Sequence, residues 1–272
     1  MIAETAAGKV QGTVIENVLA FKSVPYATAE RFMPPKPPVA WAGVRDATAY
    51  TSRAPQFGLR SAPRPEMANF SGATDNAPET EACQTLNVWT PSLSGKRPVM
   101  VWLHGGAFSY GSANSPRYGS THLARRNDVV VVAINHRLNI FGHLDLSAVG
   151  AKGGGERFAR SGNAGVLDLV AGLEWVRDNI ERFGGDPGNV TIFGQSGGGG
   201  KVCALMTMPE AKGLFHKGIV QSGASVRFAE PERTQRLADA VPVRLSKTKS
   251  RIDSRNQRLT GTRNPTLRRS RI

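Results

Sequence analysis

The 272-residue sequence has few cysteines and no long hydrophobic segment. Its two cysteines, Cys83 and Cys203, cannot form the disulfide network that stabilises small secreted domains, which indicates a reducing compartment. The N-terminus has no basic stretch followed by an apolar one, so no signal peptide is predicted. The longest apolar run, residues 129–134, is far too short to cross a bilayer. We therefore expect a soluble, cytoplasmic protein with no membrane partner.

The formal net charge of +14 first indicates a nucleic-acid partner. Residues 242–272, however, contain ten Lys or Arg and one acidic residue, so nine of the fourteen net positive charges lie there. This segment has no aromatic residue and six irregularly spaced aliphatic ones, too few to offset the entropy cost of ordering the chain. We predict one domain over residues 1–241 and a basic, disordered tail over residues 242–272. Nucleic-acid binding is disfavoured, because aromatic residues for base stacking are missing from the tail.

Short runs rich in β-branched residues follow one another from residue 86 onward, at residues 99–103, 129–134, 190–193 and 218–220. Continuous apolar strands are typical of a sheet that is covered on both faces. Apolar residues at three- and four-residue steps over residues 166–183 predict an amphipathic helix, with Asn163 as its N-cap and Gly184 after its end. Strands that alternate with helices predict an α/β fold with a parallel sheet.

The strongest chemical motif is Gly-Gln-Ser-Gly-Gly at residues 194–198, between a predicted strand and a helix-compatible run. Gly-x-Ser-x-Gly at such a turn is the nucleophile elbow, which raises the serine hydroxyl above the sheet beside the N–H groups of the helix N-terminus. A glycine-rich turn with an idle serine is the simpler alternative. A phosphate loop is excluded, because Gln195 and Val202 occupy the positions where that motif needs glycine and a hydroxyl residue.

A second motif, His-Gly-Gly-Ala-Phe at residues 104–108, closes the predicted strand 99–103. Taken alone, it is best explained as a tight turn, because glycine permits positive φ. Its position about ninety residues before the elbow favours an oxyanion loop, which hydrolases of this fold need upstream of the nucleophile.

Residues 183–198 resemble the active-site signature of the type-B carboxylesterases along its whole length. Further motifs resemble that family in the same order, at residues 86–91, 102–112, 135–138, 162–168 and 215–223. The resemblance covers roughly residues 1–240. It implies an α/β-hydrolase fold with a mostly parallel sheet flanked by helices, and hydrolysis of small carboxylic esters through an acyl-enzyme without a cofactor or metal.

By position, the resemblance implies that Ser196 is the nucleophile and that the backbone N–H groups of Gly106, Ala107 and Gly197 bind the oxyanion. It also implies an ion pair between Arg137 and Asp168, to which we assign a structural role.

The sequence also departs from the family pattern. Gln195 replaces the usual Glu, and Gly197 replaces the common Ala. The motif Glu-Ala-Cys-Gln at residues 81–84 differs at two of four positions from the usual Glu-Asp-Cys-Leu. Because no cysteine precedes Cys83, we expect a free thiol there.

The largest departure concerns the catalytic triad, whose acid and histidine follow the nucleophile in α/β-hydrolases. The only histidine after Ser196 is His216, which we interpret as structural, and the other four precede the serine. We therefore predict a fold truncated after the strand that follows the nucleophile helix, in a truncated or frame-shifted esterase lacking the triad histidine and acid. The alternatives are an inactive esterase-like binding protein, and nucleic-acid binding through the tail. The sequence does not indicate an oligomeric state.

Overall fold

The computed structural model describes residues 1–56, 75, 77–147, 155–225, 227, 230, 232–234 and 236–240. The predicted domain boundary at residue 241 and the predicted basic tail, residues 242–272, lie outside the described residues. In the part of the chain that the structure describes, no helix is both long and apolar enough to cross a membrane.

The strands, numbered in chain order, are β1 (Ile2–Thr5), β2 (Gly8–Gln11), β3 (Thr13–Ile15), β4 (Val18–Pro25), β5 (Val44–Asp46), β6 (Thr85–Thr90), β7 (Arg97–Leu103), β8 (Val130–Ile134), β9 (Gly185–Gln195) and β10 (Lys217–Gln221). The helices are α1 (Thr121–Asn127), α2 (Asn139–His143), α3 (Ala164–Asn179) and α4 (Gly197–Thr207), and residues 232–234 and 236–240 are also helical. Short 3₁₀ turns include Ser161–Asn163 and Ile180–Phe183, before and after α3.

Seven strands form the main sheet, in the order β10-β9-β7-β8-β6-β4-β3, while β1, β2 and β5 form a small separate sheet. The four strands from β10 to β8 pair in parallel, with Val101 beside both Val132 and Ile192. The strands β6, β4 and β3 pair in antiparallel fashion. The sheet is parallel where the two predicted motifs lie and antiparallel on the other side. A two-residue turn at Glu16 and Asn17, both with positive φ, joins β3 to β4 and allows only antiparallel pairing.

Helices cover both faces of the sheet, as the continuous apolar strands predict. On one face Val101 and Val132 pack with Leu173 of α3, and all three side chains are fully buried. On the other face Val131 packs with Ala124 of α1. Burying each such aliphatic side chain contributes about 1.5–3 kcal/mol. The packing of α3 on this face therefore stabilises the sheet through many small contributions.

The predicted helix over residues 166–183 is α3 with its 3₁₀ extension, and it ends at Gly184 in the left-handed conformation, φ 74°. Asn163 does occupy the N-cap position, but its side chain makes no capping hydrogen bond. The backbone there is already coiled by the preceding 3₁₀ turn, φ −109° and ψ 6°, whereas a capping side chain needs an extended residue. Asn163 therefore lies at the predicted N-cap position, but its side chain does not cap the helix.

Candidate active site

Ser196 lies between the end of β9 and the start of α4, at the predicted strand-to-helix turn. Its φ of 56° and ψ of −124° fall in a region that residues with a side chain rarely adopt, which typically costs about 1–3 kcal/mol. Two hydrogen bonds hold this conformation. The Ser196 N–H donates to the Gln221 carbonyl at 2.8 Å, and the Gly200 N–H donates to the Ser196 carbonyl at 3.1 Å. The serine side chain is exposed to solvent.

The glycines that flank the serine are required by close packing. A β-carbon on Gly194 would lie 2.5 Å from the carbonyl carbon of Gly198, and one on Gly198 would lie 2.1 Å from the Leu103 oxygen. The backbone of Gly223, after β10, packs equally closely on the Ser196 carbonyl. The elbow thus packs between β7 and the segment after β10, and only glycine fits at positions 194 and 198, two residues before and after the serine.

The predicted oxyanion loop, residues 104–108, follows β7 and bends sharply. Gly106, Ala107 and Phe108 all have positive φ, at 101°, 50° and 60°. The N–H groups of Ser109 and Tyr110 both donate to the Gly106 carbonyl, which closes the turn. Because two of these three residues carry side chains, the turn is strained, and such strain is typical of functional loops.

The oxyanion loop lies directly on the elbow. A β-carbon on Gly105 would stand 3.7 Å from the Ser196 β-carbon, and one on Gly197 would stand 2.5 Å from the Ala107 nitrogen. No described backbone group accepts a hydrogen bond from the N–H of Gly106, Ala107 or Gly197. The structure therefore brings the segments that carry the four predicted site residues together, and within the described part of the chain the three amides have no hydrogen-bond acceptor next to the serine, at the positive end of α4.

The sequence profile of the Carboxylesterase family matches residues 1–258 of the chain. The chain belongs to the carboxylesterase family. It is 44% identical over 229 residues to the para-nitrobenzyl esterase of Bacillus subtilis (strain 168), covering 82% of this chain and 44% of that protein. It is 38% identical over 258 residues to liver carboxylesterase 1 of Oryctolagus cuniculus, covering 89% of this chain and 43% of that protein.

Solved carboxylesterases share the fold described above. A carboxylesterase from Geobacillus stearothermophilus superposes with a TM-score of 0.77 at 42% sequence identity, over 88% of this chain and 47% of that one. The expected α/β-hydrolase fold is therefore confirmed. This carboxylesterase chain spans less than half of the length of these relatives.

His216 lies far from the serine in this carboxylesterase chain. Its backbone N–H donates to the Val190 carbonyl at 2.8 Å, and its ring Nδ1 accepts from the Val190 backbone N–H at 3.1 Å. Val190 precedes Ser196 by six residues on β9, or about 20 Å along a strand. This pairing agrees with the structural role expected for His216. Among the residues that the structure describes, no histidine is hydrogen bonded to Ser196.

The expected ion pair between Arg137 and Asp168 is confirmed, and it is fully buried. The Asp168 carboxylate accepts from the Arg137 Nη2 at 2.6 Å and Nε at 2.8 Å, and also from the Arg137 backbone N–H. The guanidinium donates further to the carbonyls of Glu30 and Met33. The pair thus joins α3, the segment after β8 and an N-terminal loop, which is a structural role.

Cys83 is a free thiol, as expected, and it is fully buried. Burial raises the pKa of its thiol well above the ordinary value, so it stays protonated.

A buried basic cluster next to the oxyanion loop was not predicted from the sequence. Lys201 is the lysine of the excluded phosphate-loop motif, and its Nζ donates to the His104 carbonyl at 2.8 Å inside the protein. His104, His136 and His143 are also buried, and burial together with the Lys201 charge lowers the pKa of each imidazole. The one available signal was a lysine within an otherwise apolar, glycine-rich helix start.

Proposed function

We propose that this chain carries the nucleophile and the oxyanion hole of an esterase that hydrolyses small carboxylic esters through an acyl intermediate on Ser196. The observation that carries this proposal is the contact between the strained elbow and the oxyanion loop, with three amide donors unpaired beside the serine. Relatives that share these segments are named as esterases, which supports the same class of reaction.

In the proposed reaction, the Ser196 hydroxyl oxygen attacks the ester carbonyl carbon, while a base takes the hydroxyl proton. The carbonyl electron pair moves onto oxygen, and the N–H groups of Gly106, Ala107 and Gly197 bind the resulting oxyanion. Removing one such donor typically slows a hydrolase by about 10²–10³-fold. Collapse of the intermediate expels the alcohol, which takes up the proton. Water then cleaves the acyl-serine to a carboxylic acid and restores the hydroxyl.

We further propose that these 272 residues do not supply the base and its acid partner, and that the reading frame changes near residue 241. The position of His216 beside Val190 supports this, since the remaining histidines precede the serine and His104, the first residue of the oxyanion loop, is fully buried. Translating the DNA beyond codon 241 in the other frames tests the frameshift, which is excluded if no frame gives an esterase-like continuation.

The function is tested by measuring para-nitrophenyl butyrate hydrolysis by the purified chain, with Ser196→Ala as the matched control. Each protein is assayed alone and with added imidazole, which replaces a missing histidine as base. The control with imidazole corrects for hydrolysis by imidazole itself. We expect little serine-dependent turnover without imidazole, and a serine-dependent rate that rises with its concentration.

The two parts of the proposal fail in different ways. Sustained serine-dependent turnover without imidazole would show that this chain supplies its own base. Equal rates for the chain and for Ser196→Ala under all conditions would remove the esterase proposal itself.

A further inference from the structure

Lys201 connects the two ends of the oxyanion loop. Its side chain is fully buried, and its Nζ donates to the His104 carbonyl at 2.8 Å. The same Nζ lies 5.1 Å from the centre of the Phe108 ring, within cation–π range. His104 and Phe108 are the first and last residues of the loop that presents the amides of Gly106 and Ala107. One buried cation therefore contacts the loop on both sides of its donors.

The four glycines before Lys201 explain how this side chain comes to lie under the loop. Gly197 packs against the Ala107 nitrogen, and a β-carbon on Gly200 would stand 3.3 Å from the Phe108 ring. With no side chain over its first turn, α4 meets the loop backbone directly. Lys201 is the first residue of α4 with a side chain, and that side chain fills the space behind the loop.

No carboxylate contacts the buried Lys201 ammonium among the described residues, and its one hydrogen-bond acceptor there is the His104 carbonyl. The charge of Lys201 acts on three buried imidazoles, those of His104, His136 and His143. The Nδ1 atoms of His104 and His136 each lie 2.8 Å from a backbone carbonyl oxygen. A carbonyl can only accept, so Nδ1 carries the hydrogen and Nε2 keeps a lone pair. The Nε2 atoms of all three histidines are buried and have no partner in the described part of the chain.

These histidines also fix the geometry of the cluster. The rings of His104 and His136 are stacked at 4.9 Å, and His143 packs edge-on against Phe108 at 5.3 Å. The imidazoles thus contact both loop residues that Lys201 contacts. Because burial and the Lys201 charge lower the pKa of each imidazole, these rings stay neutral and add no second positive charge beside the ammonium.

We propose that Lys201 is a positioning residue of the oxyanion hole. By holding the His104 carbonyl and the Phe108 ring, its ammonium sets the amides of Gly106 and Ala107 against Ser196. The inference rests on the proposed function of those amides, and it adds a buried charge as the element that orders them.

Burial lowers the pKa of Lys201 to about 7, because no anion compensates for its desolvation. The loop therefore loses its cationic anchor within an accessible pH range, which gives a direct test by NMR. The amide resonances of Gly106, Ala107 and Gly197 are followed from pH 5.5 to 8.5 in the wild-type chain, in Lys201→Met, and in Lys212→Met as an exposed-lysine control.

In the wild-type chain and in Lys212→Met, we expect the Gly106 and Ala107 amide shifts to titrate together with a midpoint near 7. In Lys201→Met we expect no such titration, and roughly tenfold faster hydrogen exchange at both amides. Amide shifts and exchange rates that Lys201→Met leaves unchanged would overturn the proposal. Should this variant not fold, Phe108→Leu, which removes the ring that the Lys201 ammonium contacts, takes its place, and unchanged exchange at both amides overturns the proposal.

A kinetic arm uses the imidazole-assisted reaction of Ser196. We expect Lys201→Met to lower the acylation rate roughly 10–100-fold at unchanged half-saturation, since oxyanion donors act in the transition state. An unchanged acylation rate would count against Lys201. If Ser196→Ala equals wild type, the proposed function fails, and the amide measurements still decide the role of Lys201.

Discussion

The backbone nitrogen of Ala107 lies 2.5 Å from the point at which a β-carbon on Gly197 would stand. No side chain tolerates such an approach to backbone, so the oxyanion loop can lie against α4 only because residue 197 is glycine. The resemblance to type-B carboxylesterases implies that alanine is common at this position. In this chain the absence of that methyl group at Gly197 is what allows the oxyanion loop to pack so closely on α4.

Gly197→Ala is therefore expected to displace the oxyanion loop. We expect the imidazole-assisted acylation of Ser196 to fall by about 10–10³-fold, the range for a misplaced oxyanion donor, and stability to fall by about 1–3 kcal/mol from overpacking. Acylation kinetics and urea unfolding measure the two effects. Gly119→Ala is the control, because its β-carbon would meet only ordinary contact, at 3.5 Å from the Pro116 oxygen. Equal acylation rates in both variants would contradict the close seating.

Asp168→Asn is expected to destabilise the fold by about 3–5 kcal/mol. It removes the charge that compensates the buried Arg137 guanidinium and leaves that cation unpaired. The matched control is Asp178→Asn, which breaks an exposed pair with Arg177, half of whose side chain is accessible, and should cost under about 1 kcal/mol. Urea unfolding compares the two. A loss below 1 kcal/mol in Asp168→Asn would contradict the structural role of the pair.

The elbow and the oxyanion loop could be predicted from sequence because their chemistry is local. The Gly-x-Ser-x-Gly motif is contiguous in the sequence, and it lies between a strand and a helix that the pattern of apolar residues predicts, although the packing on Leu103 that Gly198 permits is visible only in the structure. The same holds for the end of α3, where Gly184 takes the left-handed conformation that glycine adopts most easily.

The cluster around Lys201 could not be predicted, because it depends on contacts between distant segments. His104 follows β7, His136 follows β8, and Lys201 lies almost a hundred residues further along the chain than His104. The spacing of apolar residues along the sequence does not show that neighbouring parallel strands bring these residues together. The antiparallel pairing of β6 with β4 and with β8 was not predicted for a similar reason, because the direction of pairing follows from the connections and not from strand composition.

The two thiols are expected to differ in reactivity with DTNB. Cys83 is fully buried and burial raises its pKa, whereas Cys203 is partly exposed. The thiolate is the reacting form, so Cys203 should be labelled first in the native chain and Cys83 only on unfolding. Peptide mass spectrometry after timed labelling assigns each site, with a urea-unfolded sample as control. Labelling of Cys83 at the rate of Cys203 in the native chain would show that the core around Cys83 is open.

The stability of the chain is expected to rise with pH above about 7 through Lys201. Burial lowers the pKa of this lysine to about 7 in the folded chain, against its ordinary 10.5. Between these values the unfolded lysine keeps its proton and the folded one has released it. Because the unfolded state then binds more protons, the free energy of unfolding rises by up to about 1.4 kcal/mol per pH unit.

Urea unfolding of wild type and Lys201→Met at pH 5.5, 6.5, 7.5 and 8.5 measures this effect, because groups that do not interact with Lys201 cancel in the difference. The three neighbouring imidazoles do interact with it, but burial is the larger cause of their lowered pKa and acts in both proteins. Below pH 6 the lysine is protonated in both states, so the difference should be constant and Lys201→Met should be the more stable protein, relieved of a buried charge. Above pH 7 the free energy of unfolding of the wild type should rise relative to that of Lys201→Met. A difference that stays flat from pH 5.5 to 8.5 would mean that Lys201 keeps its proton throughout this range and adds no pH dependence to the stability.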